Sequence, residues 1–239
     1  MRDDLDLDLR EYGDAGLLVA VRGGSYAARW RRAQVLAQAL RHSETTGVED
    51  VVSTYEDVFV AFDPVQTDHA LVESVIRTVA GTLEEDAAAG MGGRTFEIPV
   101  LYGDEAGPDL DSVAAEAGVP AAELVRRHTA SAWTVRFVAA PTGTPFADRA
   151  DEGDWEHDVA RLASPRTAVP PGSVALSGRQ CIIYPHRSPG GWRLIGRTPL
   201  RLVDLASERL VPYGPGDRLV FVAVDEQRFA ELSDRPLAE

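Results

Sequence analysis

The residues best suited to chemistry crowd into one stretch. Tyr184 to Leu202 reads YPHRSPGGWRLIGRTPLRL and holds four arginines, Arg187, Arg193, Arg197 and Arg201, around the sequence SPGGW. Such a cluster can form a local basic patch, and the same arginines can equally be solvated strand residues. Gly190 and Gly191 permit positive φ or a close approach of backbone. Two arrangements fit SPGGW: a loop whose amides and Ser188 hydroxyl face a small ligand, or a hairpin turn with Trp192 plugging the end of a barrel. On these residues alone both stay open.

Other reactive groups are sparse. Cys181 is the single cysteine, so no internal disulfide forms and a reducing compartment fits. Its setting, CIIYP, reads as a buried structural thiol rather than a nucleophile. The five histidines show no i, i+4 pair of the kind that holds zinc on a helix. His157 between Glu156 and Asp158 reads as a solvated charge run, and no metal site is expected. No Gly-x-Ser-x-Gly elbow is present, which argues against an α/β-hydrolase. The chain contains no lysine, which removes the P-loop, Schiff-base and biotin-carrying lysines. A nucleotide's phosphates, or a biotin, would therefore be handled by another chain.

The formal net charge of -14 repels phosphate backbones and anionic lipid, so neither nucleic acid nor membrane is an expected partner. No apolar run approaches the ~20 residues of a membrane span. The acidic start MRDDLDLDL does not resemble a basic signal-peptide n-region, and the expected location is the cytoplasm.

These groups must be positioned by two segments of different pattern. Residues 1–88 read as ββαββα, a small α+β unit with one sheet face covered by two helices. The first helix starts at Tyr26 with Trp30, Ala33, Ala37 and Leu40 facing inwards and Arg29, Arg32 and Gln38 outwards. The second is capped by Thr67 or Asp68 and carries the stripe Leu71, Val75, Ile76 and Val79. EEDAAAGMGG reads as a linker with the boundary near residue 88. Residues 89–239 read as a strand (TFEIPVLYG), two short helices, the second with Pro120 in its first turn, and then strands and turns, with LRLVD among the strands. Short strands punctuated by Gly and Pro predict a closed β-barrel with helical insertions. ADRADEGDWEHD reads as a surface loop or ragged helix.

The run from Ser164 carries more than turn chemistry. Arg166 to Val174 (RTAVPPGSV), Gln180, Tyr184-Pro185, Ser188 to Trp192 (SPGGW) and Ile195 to Pro199 (IGRTP) resemble, in order, the signature of the family formed by the B subunits of 5-oxoprolinase, also called KipI or allophanate hydrolase subunit 1. YGDAGLLV, VSTYEDVFVAFDP and IPVLYGDEAGPDLDSVAAEAG followed by His128 resemble further family segments. The resemblance implies an α+β N-terminal domain followed by a cyclophilin-like β-barrel. One departure stands out. Where the family has Gly-Phe-x-Pro-Gly-Phe-x-Tyr-Leu, this chain has AAPTGTPFADRADEGDWEH, with Gly143, Pro145 and Phe146 as remnants and Trp133 where a tyrosine is common.

The family implies a role as the B subunit of an ATP-dependent 5-oxoprolinase, which opens the lactam of 5-oxoproline to glutamate. The C subunit, of the allophanate hydrolase subunit 2 family, and the A subunit would be partners. No cofactor is expected on this chain alone, with ATP used by the assembled complex; an isolated chain, holding half a site, is free to dimerise. Both 5-oxoproline and the urea of the related urea amidolyase carboxyltransferases are small amides whose developing charge needs stabilising. Within that resemblance, Gln180 and Tyr184 would hydrogen-bond the amide, and Arg197 would pair with a carboxylate or phosphate. Ser188 with the Gly190 and Gly191 amides would form an anion-binding turn. Arg166, Trp192, Thr198 and His128 complete the expected substrate-binding set. Two alternatives from the same resemblance are a KipI-like inhibitor of a sensor histidine kinase and a carboxyltransferase component of urea breakdown. Prolyl isomerisation follows from fold analogy alone, and nothing here resembles a cyclophilin active-site sequence.

Overall fold

The computed structural model describes residues 6–83, 93–139, 143–149 and 158–237. The chain forms two compact units, Met1–Gly92 and Gly93–Glu239. The boundary expected near residue 88 lies outside the described residues.

In the first unit, strands β1 (Leu7–Glu11) and β2 (Gly16–Val21) precede helix α1 (Tyr26–His42), and β3 (Val48–Ser53) and β4 (Asp57–Phe62) precede α2 (His69–Thr82). The sheet is antiparallel in the order β1-β2-β4-β3. Ser25 caps α1 and Asp68 caps α2, each accepting a backbone N–H three residues on. Leu17, Val19, Val58, Val60 and Phe62 pack under Leu36, Ala37, Leu40, Val72 and Ile76 in one core. The expected stripe of α2 is rotated: Val72, Ile76 and Ala80 are buried, while Leu71 is 54% exposed. At 100° per residue the core-facing line runs through Val72 and Ile76, which leaves Leu71 on the flank.

The second unit is built on β5 (Thr95–Tyr102), α3 (Leu110–Glu116), α4 (Ala121–Thr129), β6 (Trp133–Ala139), β7 (Thr144–Arg149), β8 (Arg166–Val169), β9 (Ser173–Ser177), β10 (Gln180–Ile183), β11 (Ser188–Gly190), β12 (Arg193–Arg197), β13 (Arg218–Ala223) and α5 (Glu226–Glu231). Seven strands close a barrel in the order β10-β7-β6-β13-β5-β12-β9, with β8 and β11 as a separate pair. Among the described strand pairs only β5–β13 is parallel, which joins the two ends of the unit. Pro120 is the N-cap of α4 rather than a first-turn residue.

Two further expectations change. LRLVD forms no strand: Arg201 makes one isolated bridge to Pro236, and a proline partner has no N–H with which to extend a ladder. In ADRADEGDWEHD, Ala147 to Arg149 belong to β7. Residues 150–157, including Glu156 and His157, lie outside the described residues. Among the described residues no helix is long and apolar enough to cross a membrane.

Candidate functional site

Side chains alternate along a strand, so each barrel strand sends one set inwards and one outwards. Ala147, Val174, Leu176, Cys181 and Ile183 belong to the interior core. Their neighbours Ala175, Ile182 and Tyr184, with Trp192, Leu194, Val169 and Phe146, form a second cluster on the outer wall. The ladder register arranges this wall in rows. Leu194, Ala175, Ile182, Phe146 and Phe137 are successive partners across β12, β9, β10, β7 and β6. One step along, Ser177, Gln180, Asp148 and Thr134 are successive partners, all polar.

The register shifts between Val135 and Phe137. A bulge breaks the alternation there, leaving Arg136 and Phe137 both outside. Phe137 stacks on Phe146 with centroids 4.7 Å apart and planes 12° apart. Arg136 Nε donates to Asp148 Oδ1 at 2.5 Å, and both residues are buried. Trp192 meets Phe146 edge-on at 5.7 Å. The Arg161 guanidinium lies 5.4 Å from the Trp192 ring centroid, and its Nε donates to Ser177 Oγ at 3.2 Å. Gln180 is half-buried, and its carboxamide has no hydrogen-bond partner among the described residues. An amide and a guanidinium thus stand at the edge of an apolar stretch of outer wall. Sequence reasoning missed Arg136, Phe137, Asp148, Ser177 and Arg161. The one available signal was a charged residue inside the apolar run WTVRFVA.

The expected site residues divide among several places. Gln180, Tyr184 and Trp192 reach this outer wall. Trp192 therefore does not plug the barrel end; it packs against the outside. Ser188 to Gly190 form a strand against β8, not an anion-binding turn, and neither Gly190 nor Gly191 has positive φ. Gly190 is required for close approach: a Cβ there would lie 2.2 Å from Tyr184 Oη. The Gly191 carbonyl accepts from Leu162 N–H at 2.8 Å. Burial raises the Tyr184 pKa, opposed by the Trp192 backbone N–H and the charges of Arg161 and Arg166. Tyr184 is thus a neutral phenol at neutral pH, able to hydrogen-bond but not to act as a base.

The arginines diverge. Arg166 Nη2 donates to Asp109 Oδ1 at 2.8 Å, and Asp109 Oδ2 accepts Leu194 N–H at 2.7 Å, so Arg166 ties β8 to the start of α3. Arg193 is buried and donates to Ser112 and Glu116 of α3. Arg197 Nε donates to the Pro171 carbonyl at 2.9 Å, and the buried Thr198 gives its N–H to Gly172 O at 2.9 Å. These two hold the 170–172 turn, whose Gly172 has φ 81°. Thr198, 2% exposed, has no surface to offer a substrate. Arg187 and Arg201 are exposed, and Arg201 pairs with Asp234. Among the described residues no group of three or more His, Cys, Asp or Glu is placed to hold a metal.

His128 is corrected most fully. It is 0% exposed, inside the barrel rather than at a substrate surface. Its Nδ1 lies 2.8 Å from Tyr102 Oη and its Nε2 3.5 Å from Cys181 Sγ, and its ring packs on Trp133 and Phe221. Burial, with the charge of Arg149 adding, lowers its pKa to about 3. Below pH 6.5 the unfolded chain binds this proton and the folded chain does not, so stability falls as pH falls. The expected slope reaches about 1.4 kcal/mol per pH unit between pH 6.5 and the folded pKa. Urea titrations from pH 7 to pH 4 on the wild type and on His128→Gln check this: the difference in unfolding free energy should shrink with acid, and a pH-independent difference would refute it. Burial likewise raises the Cys181 thiol pKa well above its usual value, consistent with an inert structural thiol.

Comparison with known proteins places this arrangement. Residues 7–213 match the family described as carboxyltransferase domain, subdomain C and D. The chain is 39% identical over 143 residues to the 5-oxoprolinase B subunit of Escherichia coli O157:H7, covering 60% of this chain and 64% of that one. It is 37% identical over 160 residues to the Bacillus subtilis 5-oxoprolinase B subunit, covering 66% and 65%. The corresponding Haemophilus influenzae protein, also a 5-oxoprolinase B subunit, is 32% identical over 171 residues, covering 72% and 74%. The matches thus span slightly under two thirds of the first two relatives. Among solved structures, a conserved uncharacterized protein from Pyrococcus horikoshii aligns with a TM-score of 0.54 and 31% identity, covering 93% of this chain and 100% of that one. The Kluyveromyces lactis urea amidolyase aligns with a TM-score of 0.76 over 95% of this chain and 15% of that one, at 17% identity, a likeness of fold alone. The chain belongs to the carboxyltransferase domain, subdomain C and D family.

Proposed function

We propose that this member of the family is the B subunit of an ATP-dependent 5-oxoprolinase, converting 5-oxoproline to glutamate together with the A and C subunits. The observation that carries the reading is identity of 32–39% to three relatives from three bacteria, each named as the B subunit of 5-oxoprolinase. In this reading the barrel is cyclophilin-like and the first unit is the α+β domain that precedes it. The outer wall around Gln180, Tyr184 and Trp192 forms part of a small-amide site completed by the partner. The lysine-free sequence fits a division of labour in which another chain handles the phosphates of ATP.

The test is ATP-dependent release of glutamate from 5-oxoproline by the purified A and C subunits of the source organism, with and without this chain. Release that requires the chain is expected. If the A and C subunits work beside a B subunit of known activity but not beside this one, the assignment fails.

A further inference from the structure

The proposed reading assigns a lactam to this chain but not the groups that recognise it. Arg197, the carboxylate partner expected from sequence, holds the 170–172 turn through Pro171. The outer wall offers a different cation. Arg161 is exposed and is held at the edge of the wall by Ser177 Oγ and the Trp192 face. Ser177 is the direct cross-strand partner of Gln180, so the guanidinium and the carboxamide border the same stretch of wall. Beside them the half-buried pair Phe146 and Phe137, stacked at 4.7 Å, supplies the accessible apolar surface, with Ile182 buried next to it in the same row.

We infer that Gln180 and Arg161 together recognise a five-membered lactam carboxylate, Gln180 reading the lactam edge and Arg161 the carboxylate. This rests on the function proposed above. A small-ring lactam is locked in the cis amide form, so its N–H and C=O point to the same side. A primary carboxamide is complementary to that edge, since its oxygen accepts the lactam N–H while its NH2 donates to the lactam oxygen. Gln180 has both groups uncommitted among the described residues. A guanidinium binds a carboxylate through two parallel hydrogen bonds, and Arg161 uses Nε on Ser177, leaving its terminal nitrogens to turn towards the ligand. Asp148, the other cross-strand neighbour of Gln180, would repel that carboxylate, but Arg136 neutralises it at 2.5 Å. Ring carbons would lie on Phe146.

Steady-state kinetics of the reconstituted three-chain complex provide the test. Arg161→Ala and Gln180→Leu are each expected to raise KM for 5-oxoproline about 10- to 100-fold. KM for ATP should stay unchanged, and the thermal midpoint should shift by no more than about 3 °C, the scale of losing one exposed cation–π contact. Arg161→Lys, which keeps the charge but loses the fork, should recover part of the loss. An unchanged KM for 5-oxoproline in a complex whose wild type is active would overturn this inference and leave the proposed function standing. So would a loss that moves KM for ATP and the thermal midpoint together, or that Arg161→Lys does not relieve. A wild-type complex with no 5-oxoproline-dependent glutamate release would overturn both.

Discussion

Asp148→Ala is expected to lower the unfolding free energy by about 3–5 kcal/mol. The side chains of Arg136 and Asp148 are only 7% and 11% exposed. Removing the carboxylate takes a charge at 2.5 Å away from a buried guanidinium, and arginine cannot lose its proton to relieve the cost. The pair itself adds little relative to an apolar pair, because both ions were desolvated to form it. Arg136→Met with Asp148→Leu should therefore lie far closer to wild type than either single truncation. Urea unfolding of wild type, Arg136→Met, Asp148→Leu, their double variant and Asp148→Ala checks the whole cycle. A cost below about 1 kcal/mol for Asp148→Ala would mean that the pair behaves as a solvated surface bridge.

The adjacent glycines 190 and 191 should respond unequally to alanine. At Gly190 a Cβ would stand 2.2 Å from Tyr184 Oη and 2.8 Å from Cζ. Tyr184 cannot easily withdraw, since its ring packs among Val169, Ile182 and Trp192. Gly190→Ala is expected to cost about 1–3 kcal/mol. At Gly191 the nearest atom would be Pro165 Cγ at 3.6 Å, an ordinary contact, and φ is not positive. Gly191→Ala should fall within about 0.5 kcal/mol of wild type. Tyr184→Phe removes the closest clashing atom, so Gly190→Ala should cost less in that background than alone. Thermal or urea denaturation of the single and double variants measures this coupling. Equal effects at 190 and 191 would contradict the close approach.

Local sequence determined much of the scaffold. Periodicity of 3.6 marked α1 through Trp30, Ala33, Ala37 and Leu40, and runs such as VEDVVS, DVFVAF and RLVFVA marked strands. Those signals depend on neighbours within one turn or one pleat, so the chain states them directly. The ordered signature from Arg166 to Pro199 pointed to the family, because it fixes residue types at many positions at once.

Tertiary structure alone decided the site. Four arginines lie within fifteen residues of sequence, yet Arg193 is drawn to α3, Arg197 to Pro171 and Arg201 to Asp234. Arg161, well upstream, joins Trp192 and Ser177. The bulge at Val135–Phe137 turned Arg136 outwards beside Asp148, and barrel closure carried His128 from the expected substrate surface into the core. Each outcome depends on which distant strand supplies the neighbour and in what register, as when β5 pairs with β13 from the far end of the unit. Long-range pairing leaves no imprint on local periodicity, so these partnerships became visible only when the barrel closed.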